Sequence, residues 1–582
     1  MAEETEKVSL EQNDLFLKNV YRHALLPCIL SILSSNVNIL FDGILVGQKI
    51  GVGGLAGLNL CMPVYLVLCV IGSFFVSGTA IPASRSIGKN QIEKAQEYYQ
   101  LAIGTTLISS VVITAVGLVL LEPITQLLCS DPSLHDIVRV YSGVTIAGAL
   151  PKIMLYIPFW FLRLDGRNSQ STILMMVMAG GNVALDFLFM YGFSLGVFGA
   201  ALASVISTTA ATAIGFIYLC DRRSSFHFGI RWKAAPSRWN EIVRCGSPSS
   251  LNNLAQTFRI LCINSLLMAF GGRNDVALFA AVNCMSEFSL SILSGVPQAA
   301  SAMLGIFTGE MDNNSIRILM KKQKNSGLLG CALFGGLITV CSGLIRSMYG
   351  LQSSLLLPMA CLALSLFPAL FNTVMISYYN IAGKNLWANL LIACRVFVFA
   401  VGSLWILEKI GVTPWWFMLA GETMTIGVWA LITGRYHRTA PNQSRTLLLD
   451  DTREKERKVL TFSTKGTNEA ICEASQRISS FCEENGMGMK EVMRLELSME
   501  EIMTLITTAN PNIRMEFDLR AFSLQGVKGI RIRYGGREYN PFDIHNEGWD
   551  QDEYMGARLV KTMVEDVIYQ RNFGTNTIII LI

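Results

Sequence analysis

The sequence predicts an all-α polytopic membrane bundle of about twelve helices, joined to a C-terminal α/β sandwich domain. Three observations carry this. Only 15% of the 582 residues are charged and 51% are hydrophobic, whereas a soluble chain is typically about 25% charged. The apolar residues gather in runs such as 101–121, 173–190 and 200–219, long enough to cross a hydrocarbon core of about 30 Å. Beyond residue 435 the composition turns polar, and the apolar runs shorten to those of a small soluble domain.

Taken in order, residues 1–19 form an acidic, polar N-terminal tail. It lacks the basic start, short apolar core and small-residue cleavage site of a signal peptide, so the first membrane helix is expected to remain. Spans are expected at 20–46, 55–80, 97–121, 137–162, 170–192 and 198–220, and then at 247–270, 276–306, 325–347, 353–381, 386–407 and 414–434. The polar segment near 221–245 divides them into two sets of six: a membrane N-lobe over 20–225 and a C-lobe over 226–435. Weak internal similarity supports the division. Ala24-Leu-Leu-Pro27 opens the first half and Cys245-Gly-Ser-Pro248 the second, and both second spans run into small residues, Ser77-Gly-Thr-Ala80 and Gln298-Ala-Ala-Ser301. Six spans return the chain to its starting side, so the halves should be parallel repeats, an arrangement that transporters use.

The basic residues of the short loops set the orientation. Arg85, Lys89, Lys94, Arg163, Arg167, the basic cluster over 222–244, Arg317, Lys321, Lys322, Lys324 and Lys384 fall on one side; the other has only Lys49, Arg273, Arg346 and Lys409. The basic side should be cytoplasmic, with both termini. This is the pattern of a multi-pass protein of a bacterial cytoplasmic (inner) membrane. No basic stripe with interleaved aromatics points to nucleic acid, and the net charge is only +4. The 14 cysteines show no C-x-x-C pair, and many sit in apolar runs as small hydrophobes.

A charged linker occupies 436–458, and residues 459–582 read as one α/β domain. Strands are expected from 459, over 514–519, over 529–534 and over 577–582, with helices over 467–484 and 490–507. About 120 residues suffice for one independent core.

The acids inside the spans need an account, because an Asp at a helix centre costs roughly 2.5–3.5 kcal/mol on insertion scales. Asn38 and Asp42 are four apart in the first span; Asn182 and Asp186 are four apart in the fifth. Each pair therefore shares a helix face. Ser204 comes from the sixth. If these helices converge, the carboxylates, amide oxygens and hydroxyl make an all-oxygen pocket suited to Na⁺ or a proton. The same groups could instead hold neighbouring helices together. In the second half Arg259 and Glu287 form a possible polar site, or pair with each other structurally; Arg395 and Glu422 are expected near span ends, with their charges snorkelling to the interface.

The membrane region resembles the multidrug and toxic compound extrusion (MATE) family, nearer its DinF-like branch. The resemblance covers roughly 15–440 and rests on three stretches. These are Pro27 with Asn38 to Gly47, then Gly78 to Gly88, and then Arg163-Leu-Asp165-Gly166 with Asn182-Val-Ala-Leu-Asp186 and Gly199 to Ser204. It implies two six-helix lobes, alternating access and secondary active efflux of amphiphilic or cationic small molecules by H⁺ or Na⁺ antiport. It maps the family's N-lobe cation site onto Asp42, Asn182, Asp186 and Ser204, where the family often has Thr at the last position. It implies no cofactor and no catalytic residue.

The tail resembles the ATP-binding fold of anti-sigma-factor kinases and histidine kinases (the GHKL superfamily). The stretches that carry the resemblance run over 495–504, 534–541 and 555–576. Glu501 is retained, but the Mg²⁺-binding Asn falls on Leu505 and the adenine-contacting Asp on Tyr534; Gly536 and Gly556 remain, while one phosphate-loop glycine falls on Tyr554. Leu cannot coordinate a metal and Tyr does not replace a carboxylate. The resemblance therefore implies a degenerate, inactive ATPase-like domain with a regulatory role or a cytosolic protein partner. Two other readings remain: a membrane sensor signalling through the tail, and a lipid-precursor flippase.

Overall fold

The computed structural model describes residues 2–582, apart from 51, 130–131, 222–223, 232, 234, 271, 349–352, 440–442, 445, 451, 453–455, 457, 512, 525–526, 543–554 and 573–574; within its helices, some side chains, those of Asn38 and Asp42 included, also lie outside the description. The chain forms two compact units. One comprises 24–311 and 320–432; the other comprises 1–23, 312–319 and 433–582.

The first unit is built from helices. The N-terminal half holds α1 (Ala2–Ile50), which begins in the other unit, then α2 (Val52–Gly88), α3 (Ile92–Val119), α4 (Leu121–Leu128) and α5 (Pro132–Ala147). It continues with α6 (Ala149–Met154), α7 (Tyr156–Leu164), α8 (Asn168–Asp186) and α9 (Gly196–Leu219). The C-terminal half holds α10 (Pro236–Phe270), α11 (Gly272–Glu310), α12 (Asn313–Val340), α13 (Ser342–Met348), α14 (Leu356–Ile381), α15 (Asn385–Ile392), α16 (Phe399–Ile410) and α17 (Phe417–Thr439). A π-helical turn, Phe187–Gly192, extends α8, and another, Ala393–Val398, joins α15 to α16.

Among the described residues eight helices are long and apolar enough to cross a membrane, or nine if α5 and the α6–α7 segment, bent by 55° at Gly148, count as one span. The other expected spans, at 20–46, 247–270 and 325–347, fall on α1, α10 and α12–α13. These helices are less uniformly apolar; α10 carries Arg244 and Arg259, and α12 opens on the polar turns of Arg317 to Lys324. Yet Leu329, Leu333 and Leu337 form an exposed stripe along one face of α12, as a lipid-facing helix does. The segment between the halves is shorter than expected, because α10 already starts at Pro236.

The two halves share one matching turn. After α7 the turn Asp165-Gly166-Arg167 leads into Asn168; after α14 the turn Ala382-Gly383-Lys384 leads into Asn385. Gly166 and Gly383 both have φ +79°, a left-handed value that glycine adopts without strain. The amides of Gly166 and Arg167 donate to Arg163 O and Leu162 O; those of Gly383 and Lys384 donate to Asn380 O and Tyr379 O. Burial pushes the Asp165 carboxyl up, against the Ser225 N–H and the Arg167 guanidinium that favour its charge. Burial likewise brings the Lys384 ammonium down to about 8.

The halves meet where α2 packs on α10 and α11. Ser84 and Gly88 on α2 face Gly305 and Gly309 on α11: a Cβ on Gly88 would strike the Ile306 carbonyl, one on Gly309 the Arg85 carbonyl, and one on Gly305 the Ser84 hydroxyl. Small residues at such spacing let helix backbones touch, which is how membrane helices gain packing without a hydrophobic driving force. The small-residue segments read from the second spans, 77–80 and 298–301, lie about one turn before this seam, and Gly78 instead meets the Ile242 carbonyl of α10.

The second unit contains β1 (Val459–Lys465), α18 (Asn468–Glu484), α19 (Met489–Thr508), β2 (Glu516–Leu524), β3 (Val527–Tyr534), α20 (Met555–Met563), β4 (Asp566–Asn572) and β5 (Thr575–Leu581). The strands form one antiparallel sheet in the order β1-β2-β3-β5-β4. The expected strands and helices are present; α20 and β4 were not read from the sequence. Thr467 caps α18 by accepting the Ala470 N–H. Strand alternation gives the sheet two faces. Phe517, Leu519, Ile530, Ile532, Tyr534, Ile578 and Ile580 join the core with α18 and α19. The residues between them, Asp518 and Arg520 on β2 and Arg531 and Arg533 on β3, are equally buried.

That second, charged face is matched by Asp312, in the segment 312–319 that belongs to the same unit. Asp312 Oδ2 lies 3.2 Å from Arg520 Nη1 and 3.4 Å from Arg531 Nη2, and Arg531 Nη2 also reaches Asp518 Oδ2 at 2.6 Å. Burial raises the Asp312 carboxyl, but the two guanidinium groups and the Ser315 N–H and O–H outweigh it and hold the group at about 2. Asn313 Nδ2 donates to Asp450 O, and Asn19 Nδ2 to Glu516 Oε2. Segments from three parts of the chain thus complete the tail unit.

Candidate functional site

The predicted N-half site begins on α8. Asn182 and Asp186 share a helix face and are both buried. Asn182 Nδ2 donates to Asp186 Oδ2 at 3.1 Å, and the Ser207 hydroxyl of α9 donates to Asn182 Oδ1 at 3.2 Å. The backbone passes into the π-helical turn immediately after Asp186, a distortion that often marks functional positions in helices. Asn182, Ser204 and Ser207 line a cavity of about 270 Å³ that also meets Ser31 and Asn36 of α1. Of the residues expected to form the site, Asn182 and Ser204 line this cavity, and Asp186 is bonded to Asn182 without lining it. The side chain of Asp42, the fourth member, lies outside the described residues, although its backbone is helical within α1.

The hydroxyl that bonds to Asn182 is that of Ser207, one turn beyond Ser204, which the sequence reading did not single out. Ser204 contributes its carbonyl, accepting from Ser207 Oγ and Thr208 Oγ1. The i, i+3 spacing of Ser204 and Ser207 was the available signal. Lys152 of α6 lines the same cavity, its ammonium 5.4 Å from the Tyr65 ring centroid. Arg163 was counted among the basic loop residues, but it is buried. Its guanidinium donates to Ser31 Oγ and Ser171 Oγ and lies over the Phe159 ring.

A second cavity, of about 540 Å³, lies between the halves and is lined by Tyr156 and Phe159 of α7 and by α10, α11, α14 and α17. Arg259 lines it; Glu287 does not, but is within electrostatic range of Arg259. The Glu287 carbonyl accepts from Asn36 Nδ2 at 2.6 Å, tying α11 to α1.

Arg395 and Glu422 correct the sequence expectation of interfacial charges. Arg395 lies inside the span Asn385–Ile410 and Glu422 inside Pro414–Arg438. Arg395 Nε donates to both Glu422 oxygens at 2.8 and 2.9 Å, and Asn372 Nδ2 adds a bond to Oε2 at 2.7 Å. They are a half-buried, hydrogen-bonded pair on the cavity wall rather than snorkelling ends. Sequence pattern missed it because the partners are 27 positions apart, on different spans.

In the tail, Glu501 on α19 and Gly556 on α20 are brought together: a Cβ on Gly556 would strike the Glu501 carboxylate. Leu505 packs against the core, and Tyr534 is wholly buried with its hydroxyl donating to Tyr539 O. Burial pushes that phenol far above its ordinary range. Gly536 takes φ +100° in the turn after β3. Tyr554 lies outside the described residues.

Residues 27–188 match the family model described as MatE. A multidrug export protein, MepA, of Staphylococcus haemolyticus (strain JCSC1435) is 24% identical over 277 residues, which is 47% of this chain and 60% of the relative. The chain thus spans about three-fifths of that relative's length. Among solved structures, an outward-facing multidrug resistance MATE family transporter of the MOP superfamily superposes with a TM-score of 0.67, at 21% identity, over 73% of this chain and 96% of the other. A Vibrio cholerae MATE transporter gives 0.67 at 23% identity, over 73% and 98%. The membrane region therefore has the fold of MATE transporters, a mostly helical, multi-pass arrangement.

Proposed function

We propose that this chain is a MATE-type secondary transporter, nearest the DinF-like branch, that exports amphiphilic or cationic small molecules across a bacterial cytoplasmic membrane. Export is driven by inward H⁺ or Na⁺, with twelve spans and both termini in the cytoplasm. The observation that carries the reading is the buried Asn182–Asp186 pair, joined by Ser207 and adjoining a cavity, in a region matching the MatE family. A carboxylate at that depth is costly unless it holds a cation or a proton. Asp42, one turn from Asn38 on α1, supplies the second carboxylate of the proposed site. Antiport requires that cation and substrate favour different conformations. The α2–α11 seam is a suitable two-state element, since backbones in contact either meet or part. Efflux from cells or vesicles tests this: Asp42→Asn and Asp186→Asn should each abolish transport while the protein still inserts, and normal efflux by both would remove the site.

For the tail, we infer a regulatory role without ATP hydrolysis. Leu505 and Tyr534 give its core apolar and phenolic groups where the GHKL-like fold would need an Asn and an Asp. Asp312, in the stretch linking α11 to α12, belongs to the tail unit, where it pairs with Arg520 and Arg531. A chain lacking 441–582 should still transport at an altered rate. Complete loss of transport, with ligand binding retained, would favour the sensor reading.

A further inference from the structure

Arg259 stands apart from the other charges enclosed within the fold. Arg163 has two serine hydroxyls and an aromatic face, Arg395 has Glu422, and Asp312 has two arginines. Arg259 lines the larger cavity, yet among the described residues its guanidinium makes no hydrogen bond or ion pair, and its Nε is sealed from solvent without a partner. A guanidinium offers five donors in a planar fork. Leaving one unpaired at depth is costly, unless something other than the folded chain supplies the acceptors.

The neighbouring charges do not supply them. Among the described residues Glu422 is the only carboxylate lining the cavity, and both its oxygens are taken by Arg395, with Asn372 on one of them. Glu287 acts on Arg259 only through space, and Arg395 repels it. The cavity, about 540 Å³, is within the range of small-molecule sites. Its wall adds the amides of Asn253, Gln256 and Asn283 and the rings of Tyr156 and Phe159. That combination suits an apolar body ending in a group that accepts two parallel hydrogen bonds.

We propose that Arg259 is an anion-recognition point, and that the cavity takes amphiphiles bearing a carboxylate, sulfonate or phosphate rather than purely cationic ones. The proposal rests on the exporter reading only in making this ligand the cargo; binding itself is measurable without transport. An anionic lipid headgroup and a free amphiphilic anion present the same chemistry to Arg259.

The test uses the full-length protein in phosphatidylcholine nanodiscs and two matched dyes: rhodamine B, which has a free carboxylate, and its ethyl ester, which does not. Fluorescence anisotropy should show the wild-type protein binding the acid at least about tenfold more tightly than the ester. This arm needs no variant. Arg259→Gln should remove that preference by weakening the acid alone, and Arg259→Lys, which keeps the charge but not the fork, should retain part of it. Equal binding of acid and ester by the wild type would overturn the proposal, as would an unchanged preference in Arg259→Gln. Added phosphatidylglycerol that displaces rhodamine B identifies a lipid headgroup as the anion; no displacement identifies a free solute. Loss of efflux in Asp186→Asn with this preference intact, or the reverse, separates the fate of the two readings.

Discussion

Asn182 and Asp186 are one helical turn apart on α8, and the amide of the first donates to the carboxylate of the second at 3.1 Å. The other end of the amide accepts from Ser207 of α9. The amide is therefore fixed from both sides, and it orients the Asp186 carboxylate in turn.

Loss of the Ser207 hydroxyl should loosen that amide. A hydrogen bond of this kind contributes about 1 kcal/mol, so Ser207→Ala should lower cation-driven efflux by roughly fivefold. Ser204→Ala should do less, because among the described residues the bonds at Ser204 are made by its backbone carbonyl, which the substitution keeps. Initial efflux rates of the two variants at matched expression check the order, and a larger defect in Ser204→Ala would reverse the assignment.

The α2–α11 seam depends on the absence of side chains at Gly88 and Gly305. Overpacking of this sort costs roughly 1–3 kcal/mol, so Gly88→Val or Gly305→Val should shift the balance between closed and open seam by about tenfold or more. Labelling of a single cysteine beside Ser84, in a background lacking the other cysteines, should speed up accordingly. An unchanged labelling rate would show that the seam does not part during transport.

Both partners of the Arg395–Glu422 pair are half-buried inside membrane spans, so removing one leaves an uncompensated charge at depth. Glu422→Gln should destabilise the membrane unit by about 3 kcal/mol, whereas Arg395→Met with Glu422→Met should cost less than either change alone. Thermal unfolding in detergent, followed by size-exclusion chromatography, distinguishes these outcomes.

Asp312 carries a pH signature. Its carboxyl sits at about 2 in the folded chain, below an unfolded value of about 3.9. The stabilisation, roughly 2 kcal/mol, is therefore complete above about pH 4 and is lost as the pH falls toward 2. Protection factors of the amides over 312–319 and β2–β3, taken against the intrinsic rate at each pH, should fall across that window in the wild type. In Asp312→Asn they should already be low at neutral pH, and equal protection in the two proteins at neutral pH would show that the cluster carries no load.

The sequence made the fold class legible because lipid imposes long apolar runs; the α2–α11 seam was not, because its residues, Ser84, Gly88, Gly305 and Gly309, lie beyond the small-residue segments read from the second spans. Asn182 and Asp186 were legible because their contact is local, at i and i+4. Ser207 against Asn182, Arg395 against Glu422 and Asp312 against Arg520 were not, because each joins elements that only tertiary packing brings together. The strand β4 escaped notice because its residues, Asp566–Asn572, are largely polar and lack the apolar alternation that marked β3 and β5. The helix α20 was hidden inside a stretch read for its glycine pattern instead of its periodicity.

The central claim is that Asp186 couples cation entry to export. The most direct measurement is substrate efflux from proteoliposomes with a Na⁺ gradient or a pH gradient imposed separately, for the wild type and Asp186→Asn. The wild type should respond to one gradient, and Asp186→Asn should respond to neither while still exchanging substrate down its own gradient. An Asp186→Asn protein that remains gradient-driven at the wild-type rate would contradict the account.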